Sequence, residues 1–296
     1  MSVITAAAPR SLVAVARDYL SLLKLRIVLL LDATAVGVML PAAHGHPRVV
    51  AVLAVLVGGT LAAGGAHAIN SWFDRDIDAE MSRTRRRPLP AGRIPPWHAL
   101  AIGIGLNVIA FAVLWAGANL LAAALSLAGT LMYVFVYTIW LKRHTPQNIV
   151  IGGAAGAVPP LVGWAAATGH LDATALALFG VIFFWTPPHF WALAQMIKTD
   201  YARANIPMLP VVGGDRSAKR QSIVYAVLTV AVSVVPFFTG SAGAIYLAGA
   251  VVLGLGLVGI TVLDLEGRRW TRRVFTYSIS YMALLFMLFA VSPFLG

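Results

Sequence analysis

Apolar stretches of roughly 20 residues recur from Leu25 to the end of the chain, separated by short polar breaks and never by a long polar interval. These windows predict helices near 25–42, 48–69, 98–117, 119–140, 148–167, 172–193, 220–240, 243–264 and 273–294. At 1.5 Å of rise per residue, each can cross a hydrocarbon layer about 30 Å thick. The pattern predicts an all-α fold: a polytopic membrane bundle of about nine transmembrane helices, with residues 25–296 as one membrane domain and 1–24 as a cytoplasmic segment.

Composition agrees. Of 296 residues, 59% are hydrophobic and 11% charged, against roughly 25% charged in a soluble domain. A net charge of +11 would suit nucleic acid if it formed one solvated face. Here the basic residues fall between spans, so the expected partner is a lipid bilayer and no nucleic acid. With the N-terminus inside, segments 1–24, 70–97, 141–147, 194–219 and 265–272, with their adjoining helix ends, hold every Lys and Arg except Arg48. The positive-inside rule then places the N-terminus in the cytoplasm and the C-terminus outside, in a bacterial-type inner membrane. Outer connections are a few residues long, whereas two inner loops exceed 20 residues, so chemistry is expected on the cytoplasmic side. The two long loops follow the second and sixth predicted helices, which hints at a weak internal repeat. The absence of cysteine removes disulfides, thiolate catalysis and cysteine-ligated metals. Ala6-Ala7-Ala8-Pro9 resembles a cleavage site, but no apolar stretch precedes it, and no cleaved signal peptide is expected.

The row from His67 to Asp78 carries the second helix out of its apolar stretch. Asn70, Asp74 and Asp78 stand at i, i+4 and i+8 and share one helix face, with Asp76 on the opposite side. Carboxylates one turn apart repel each other unless a cation bridges them, and oxygen ligands at this spacing suit Mg²⁺ carrying a phosphate substrate. Arg83, Arg85, Arg86 and Arg87 follow, with the geometry to neutralise phosphate oxygens, and Pro88 and Pro90 stiffen the return to the membrane. The plainer alternative is an interfacial anchor, but three acids on adjacent turns exceed what an anchor needs. Lys142-Arg143 and the row Lys198-Thr199-Asp200 emerge on the same side, and are expected to converge with these acids over one inward-facing cavity.

Asp32 lies well inside the first predicted helix, where a carboxylate costs about 2.5 to 3.5 kcal/mol on insertion scales. The default reading of such an acid is functional; the plainer one is a protonated carboxyl facing a polar neighbour such as Thr34 of another subunit, or another helix. The glycine pairs at 58–59, 64–65 and 152–153 read as close helix packing rather than substrate loops.

Asn-x-x-x-Asp-x-x-x-Asp at 70, 74 and 78 on a second membrane helix resembles the UbiA superfamily of intramembrane prenyltransferases. The likeness sharpens, toward its protohaem IX farnesyltransferase (haem O synthase) branch, through Asp76-Ile77-Asp78, Met81, Arg83-Thr84 and Arg87-Pro88-Leu89. Lys142-Arg143-x-Thr145, Asn148 to Gly153, Pro159-Pro160, Trp185-Thr-Pro-Pro-His189-Phe-Trp191 and Asn205-Ile-Pro207-Met-Leu-Pro210 extend it over nearly the whole chain.

The resemblance implies farnesyl diphosphate and haem B as substrates and Mg²⁺ as cofactor. It implies transfer of farnesyl to a haem vinyl group, with addition of water, to give haem O, and a downstream haem A synthase as partner. Under it, Asn70, Asp74 and Asp78 orient Mg²⁺ with Asp200 completing the metal site, while Arg83, Arg87, Lys142 and Arg143 grip the diphosphate. Two departures stand out. Lys24-Leu25-Arg26 replaces the family's Lys-Pro-Arg, a change at an opening turn expected to leave the chemistry alone. Asp200 stands alone where quinone-type members carry a second aspartate-rich motif: either one acid suffices for a second metal contact, or Lys198 brings that positive charge directly. His189, behind Pro187-Pro188, and His67, one turn before Asn70, are the candidates to ligate or hydrogen-bond haem, each against a plain interfacial role. A UbiA-type enzyme acting on an aromatic acid or quinone precursor is the nearer alternative, disfavoured by the lone Asp200. A transporter, which would place charge near the midplane, is disfavoured because nine of the eleven acids lie on the inner side.

Overall fold

A computed structural model describes residues 11–294; the Ala6 to Pro9 row lies outside them. Among the described residues there are helices and turns but no strand, and nine helices are long and apolar enough to cross a membrane. In chain order the helices are α1 (Leu12–Leu22), α2 (Leu25–Ala42), α3 (Val49–Phe73), α4 (Arg75–Glu80), α5 (Pro96–Gly117), α6 (Leu120–His144) and α7 (Asn148–Thr168). They continue as α8 (Ala173–Met196), α9 (Lys198–Arg203), α10 (Leu209–Val212), α11 (Gly214–Phe238), α12 (Ala244–Glu266) and α13 (Arg269–Phe294). The spans are α2, α3, α5 to α8 and α11 to α13, and the chain is an integral multi-pass membrane protein.

Three details lie beyond the sequence expectation. The described residues before the first span carry a capped helix. Ser11 caps α1 by accepting from the Ala14 N–H (3.2 Å), and the buried Asp18 is held by Arg93 (Nε to Oδ2, 3.0 Å). Next, α6 is α-helical only to Leu131 and continues as a π-helix from Met132 to Leu141. Finally, α7 breaks at Ala157, because Pro159 and Pro160 have no N–H to continue the ladder.

Close packing follows small residues. A Cβ on Gly65 would lie 2.7 Å from the Gly103 carbonyl oxygen, and one on Gly103 would lie 2.8 Å from that of Gly65, so only glycine lets α3 and α5 meet there. One apolar cluster joins α2, α3, α5, α6 and α7 around Met39, Val55 and Leu114. A second joins α8 and α11 to α13 around Leu178, Leu257, Tyr281 and Phe289. The two long loops carry corresponding six-residue helices, α4 after α3 and α9 after α8. They are welded together by Ile77, Met81, Ile149, Tyr201, Ile206 and Met208. That weld fixes the ends of α3, α6 and α8 around one opening.

Candidate active site

Regular α3 ends at Phe73, yet helical hydrogen bonding runs on: the Asp74 N–H donates to the Asn70 carbonyl (2.9 Å) and the Asp78 N–H to that of Asp74 (2.8 Å). Asn70, Asp74 and Asp78 therefore keep a common face into α4, and all three are buried. Asn70 Nδ2 donates to Asp74 Oδ2 (2.7 Å) and to Thr138 Oγ1 (3.1 Å), and Asn70 Oδ1 accepts from Lys24 Nζ (3.0 Å). Lys142 Nζ donates to Asp74 Oδ2. Arg87 Nη1 contacts both oxygens of Asp78 (3.0 and 2.8 Å), and Thr84 Oγ1 closes the turn on the Asp78 carbonyl (2.9 Å).

The π-helix determines what α6 contributes. Thr138 Oγ1 donates to the Tyr133 carbonyl (2.8 Å), five residues back, and the Lys142 N–H to that of Tyr137. The wider turn brings Tyr133, Tyr137 and Lys142 onto the side facing α3, a use of π-helical turns common at functional sites. Tyr133 and Tyr137 stack with ring centroids 5.6 Å apart, and the His67 ring stands edge-on to Tyr133 at 5.4 Å.

These groups surround the mouth of a cavity of about 540 Å³ between α2, α3, α6, α7 and α8. Asp74 and Asp78 face Lys24, Arg83, Arg87 and Lys142 there, leaving a surplus of positive charge suited to an anion. Burial, reinforced by Arg87, pulls the Lys24 ammonium down to about 7. Burial also raises the Tyr201 phenol at the rim to about 12, so it stays protonated. Asp74 Oδ1 is buried with no hydrogen-bond donor, and Arg143 Nη2 lies 3.6 Å from it. The orphaned Asp74 oxygen, the Asp78 carboxylate and the Asn70 amide oxygen come from one helix face and are hard-oxygen donors of the kind that fits Mg²⁺. Among the described residues no three His, Cys, Asp or Glu side chains converge on one point, so the set holds two carboxylates and no more.

Not every candidate from the sequence reaches this cavity. Asn70, Asp74, Asp78, Arg83, Arg87, Lys142, His67 and His189 all line it. Arg143 does not. It braces the outside, donating to Asp76 (2.8 and 2.9 Å) and to the Phe73 carbonyl (3.2 Å), with its guanidinium 4.7 Å from the Phe73 ring centroid. Those bonds hold the exposed Asp76 carboxyl down to about 2. Lys198 is taken by Asp215 (2.9 Å) and points away. The two oxygens of Asp200 share the single hydroxyl hydrogen of Ser82 Oγ (3.0 and 2.8 Å), which lowers the carboxyl pKa. Asp200 anchors the loop that presents Arg83 and is not among the residues lining the cavity with the acids of α3 and α4.

Sequence reasoning passed over Lys24, Tyr133, Tyr137 and Thr138. Lys24 was legible as part of the Lys24-Leu25-Arg26 row, read there as a turn with no chemical part. Its left-handed backbone (φ 51°) starts α2 and turns the side chain toward Asn70. Asp32 is also placed: Thr60 Oγ1 of α3 donates to its Oδ2 (2.6 Å), whereas Thr34 bonds the Leu30 carbonyl, so the partner lies in this chain.

On the opposite wall His189 is stacked between Trp185 (4.3 Å) and Phe275 (4.8 Å), with Nδ1 2.8 Å from Ser278 Oγ. The Ser278 hydroxyl donates to the Phe275 carbonyl (2.7 Å), so it accepts from His189 Nδ1–H and leaves Nε2 as the ring's lone-pair nitrogen.

The UbiA prenyltransferase family profile matches residues 30–285. A protoheme IX farnesyltransferase of Gloeobacter violaceus is 53% identical over 273 residues, 91% of this chain and 90% of its own. One of Symbiobacterium thermophilum is 50% identical over 277 residues, 92% of this chain and 93% of its own. One of a Roseiflexus species is 51% identical over 277 residues, but this chain spans only 52% of its length. Among solved structures, a digeranylgeranylglyceryl phosphate synthase superposes with a TM-score of 0.80 at 18% identity, covering 95% of this chain and 99% of that one. A UbiA homologue from Archaeoglobus fulgidus bound to GPP and Mg²⁺ gives 0.64 at 18% identity, covering 93% and 100%. Fold, site and relatives agree, and the chain belongs to the UbiA prenyltransferase family.

Proposed function

We propose that this enzyme transfers the farnesyl group of farnesyl diphosphate to a vinyl group of haem B, with water addition, to give haem O, at the cytoplasmic face of a bacterial inner membrane. The observation that carries the reading is the mouth of the cavity: two buried carboxylates, one with an orphaned oxygen, facing the basic side chains of Lys24, Arg83, Arg87 and Lys142 above an apolar interior.

The hard step is cleavage of the farnesyl C–O bond, which puts negative charge on the diphosphate. Lys24, Lys142, Arg83 and Arg87 sit where that charge develops, at the partly buried mouth of the cavity. Asp74 and Asp78, with the Asn70 amide oxygen, would hold Mg²⁺, whose charge would neutralise the departing diphosphate. Asn70 keeps Asp74 in place through its amide, and Thr138 fixes the amide in turn. Tyr133 and Tyr137 present π faces beneath the mouth, where an allylic cation is stabilised and water is kept away. The haem acceptor belongs against the aromatic wall of α8 and α13. There His189 Nε2 is the available ligand for its iron, and His67 sits nearer the diphosphate as a neighbour of the reacting carbons.

The test is direct. Purified protein is incubated with Mg²⁺, farnesyl diphosphate and haem B, and products are separated by mass. Haem O is expected. Prenylation of a hydroxybenzoate with none of haem would overturn the reading in favour of an aromatic-acid enzyme.

A further inference from the structure

Below its charged mouth the cavity continues as an apolar channel between α2, α3, α6 and α7, lined by Ile27, Ala63, Ala66, Val55 and Val162. One carboxylate interrupts it. Asp32 of α2 lies against α3 with Oδ2 bonded to Thr60 Oγ1 (2.6 Å). Gly59 makes the room: a Cβ there would meet Asp32 Oδ1 at 2.5 Å. Oδ1 has no donor of its own, and both Asp32 and Gly59 line the channel.

We propose that the Asp32–Thr60 pair is the length stop of the prenyl channel, setting a preference for fifteen carbons. The inference rests on the farnesyl-transfer reading above. With the diphosphate at Asn70, depth along α3 can be counted at 1.5 Å per residue, so Thr60, ten residues on, lies about 15 Å below. A C–C bond near 1.5 Å advances a zigzag chain by about 1.25 Å, so an extended farnesyl chain reaches about 14 Å and a geranylgeranyl chain about 19 Å. The farnesyl terminus therefore arrives at the pair.

Space alone does not impose that limit. The lining runs on to Val55, fifteen residues or about 22 Å from Asn70, deep enough for the longer chain. What a twenty-carbon tail meets is polarity: its last isoprene unit would have to cover a carboxyl group that has one hydrogen bond and no route to water through hydrocarbon. A fifteen-carbon tail stops short and leaves the pair its own space. This gives an otherwise costly intramembrane acid a use that neither metal binding nor helix packing explains.

The experiment compares geranyl, farnesyl and geranylgeranyl diphosphates with Mg²⁺ and haem B, using the wild-type protein, Asp32→Leu, Thr60→Val and Ala63→Phe, and reads kcat/KM for each chain length with products weighed by mass. Asp32→Leu is expected to raise the C20 to C15 ratio at least about tenfold, the scale on which a single polar or apolar mismatch discriminates substrates, whereas Thr60→Val, which strips the carboxyl of its one hydrogen bond and makes it costlier to cover, is expected to lower that ratio. Ala63 lies about 10 Å below Asn70, so Ala63→Phe is expected to shift preference toward the ten-carbon substrate. A purely structural role for Asp32 would lower all three rates together. Ratios within about twofold of wild type in both Asp32→Leu and Thr60→Val would overturn the proposal. Thr60→Val, nearly isosteric, keeps the test valid if the Asp32 variant does not fold. If the wild-type protein transfers no farnesyl to haem, it is the underlying reading that fails.

Discussion

Replacing Asp74 with Asn isolates charge from shape. The side chain is 3% exposed, so the amide must occupy the same space, and an oxygen remains to accept from Lys142. Two things are lost: the negative charge shared by Lys142 and Arg143, and one of the two carboxylate oxygens, since with the amide oxygen held by Asn70 and Lys142 the position of Oδ1 becomes an amide nitrogen that can ligate no metal. Removing one preorganised electrostatic partner from an active site lowers kcat by about 10²- to 10³-fold, or roughly 3 to 4 kcal/mol. Breaking a fully buried ion pair costs about 3 to 5 kcal/mol of stability. Lys142 keeps 15% of its side-chain surface accessible and retains an acceptor, so Asp74→Asn should fall below that range and stay folded. The assay is haem O formation under saturating farnesyl diphosphate across a Mg²⁺ titration, with thermal unfolding in detergent as the control. A folded variant turning over within tenfold of wild type at unchanged Mg²⁺ demand would refute the placing of metal and leaving group at Asp74.

Asp76→Asn is expected to leave turnover within about threefold and to cost less than about 1 kcal/mol, because the carboxyl is exposed and its pair with Arg143 is solvent-screened. Its pKa is depressed to about 2, so the pair's small contribution is full above the unfolded value near 4 and is lost as pH falls toward 2; acid unfolding of Asp76→Asn against wild type reads the difference. Lys24→Met should raise KM for farnesyl diphosphate about 10- to 100-fold, since it removes a cation at the mouth and leaves Asn70 Oδ1 without its donor, and an unchanged KM would remove Lys24 from the site. Lys219→Met strips the buried Asp264 of its ammonium partner (3.1 Å), leaving Thr271 (2.7 Å), and should destabilise by about 3 to 5 kcal/mol, with activity per folded molecule intact. Unfolding of this variant within 1 kcal/mol of wild type would contradict that account.

The number of spans, the helical class and the shared face of Asn70, Asp74 and Asp78 follow from periodicity and charge placement, because lipid forces every backbone bond inside its own helix and a helix fixes which residues align. The same local rule put Asp76 on the far side, where Arg143 meets it. Which distant groups converge is another matter. Lys142 and Arg143 are neighbours in sequence, yet only Lys142 faces the cavity, because the π-helix before it rotates the end of α6. Asp200 and Lys198 emerge on the expected loop but turn to Ser82 and Asp215, choices made by how α9 seats against the other loop. Lys24 reaches Asn70 across 46 residues through a left-handed turn that no periodicity announces. Asp32 was conspicuous in sequence as an acid in hydrocarbon; that Thr60 and the space over Gly59 receive it, beside the channel, follows from the packing of α2 on α3. Local pattern decides what each helix can offer, and packing between helices decides which offers meet.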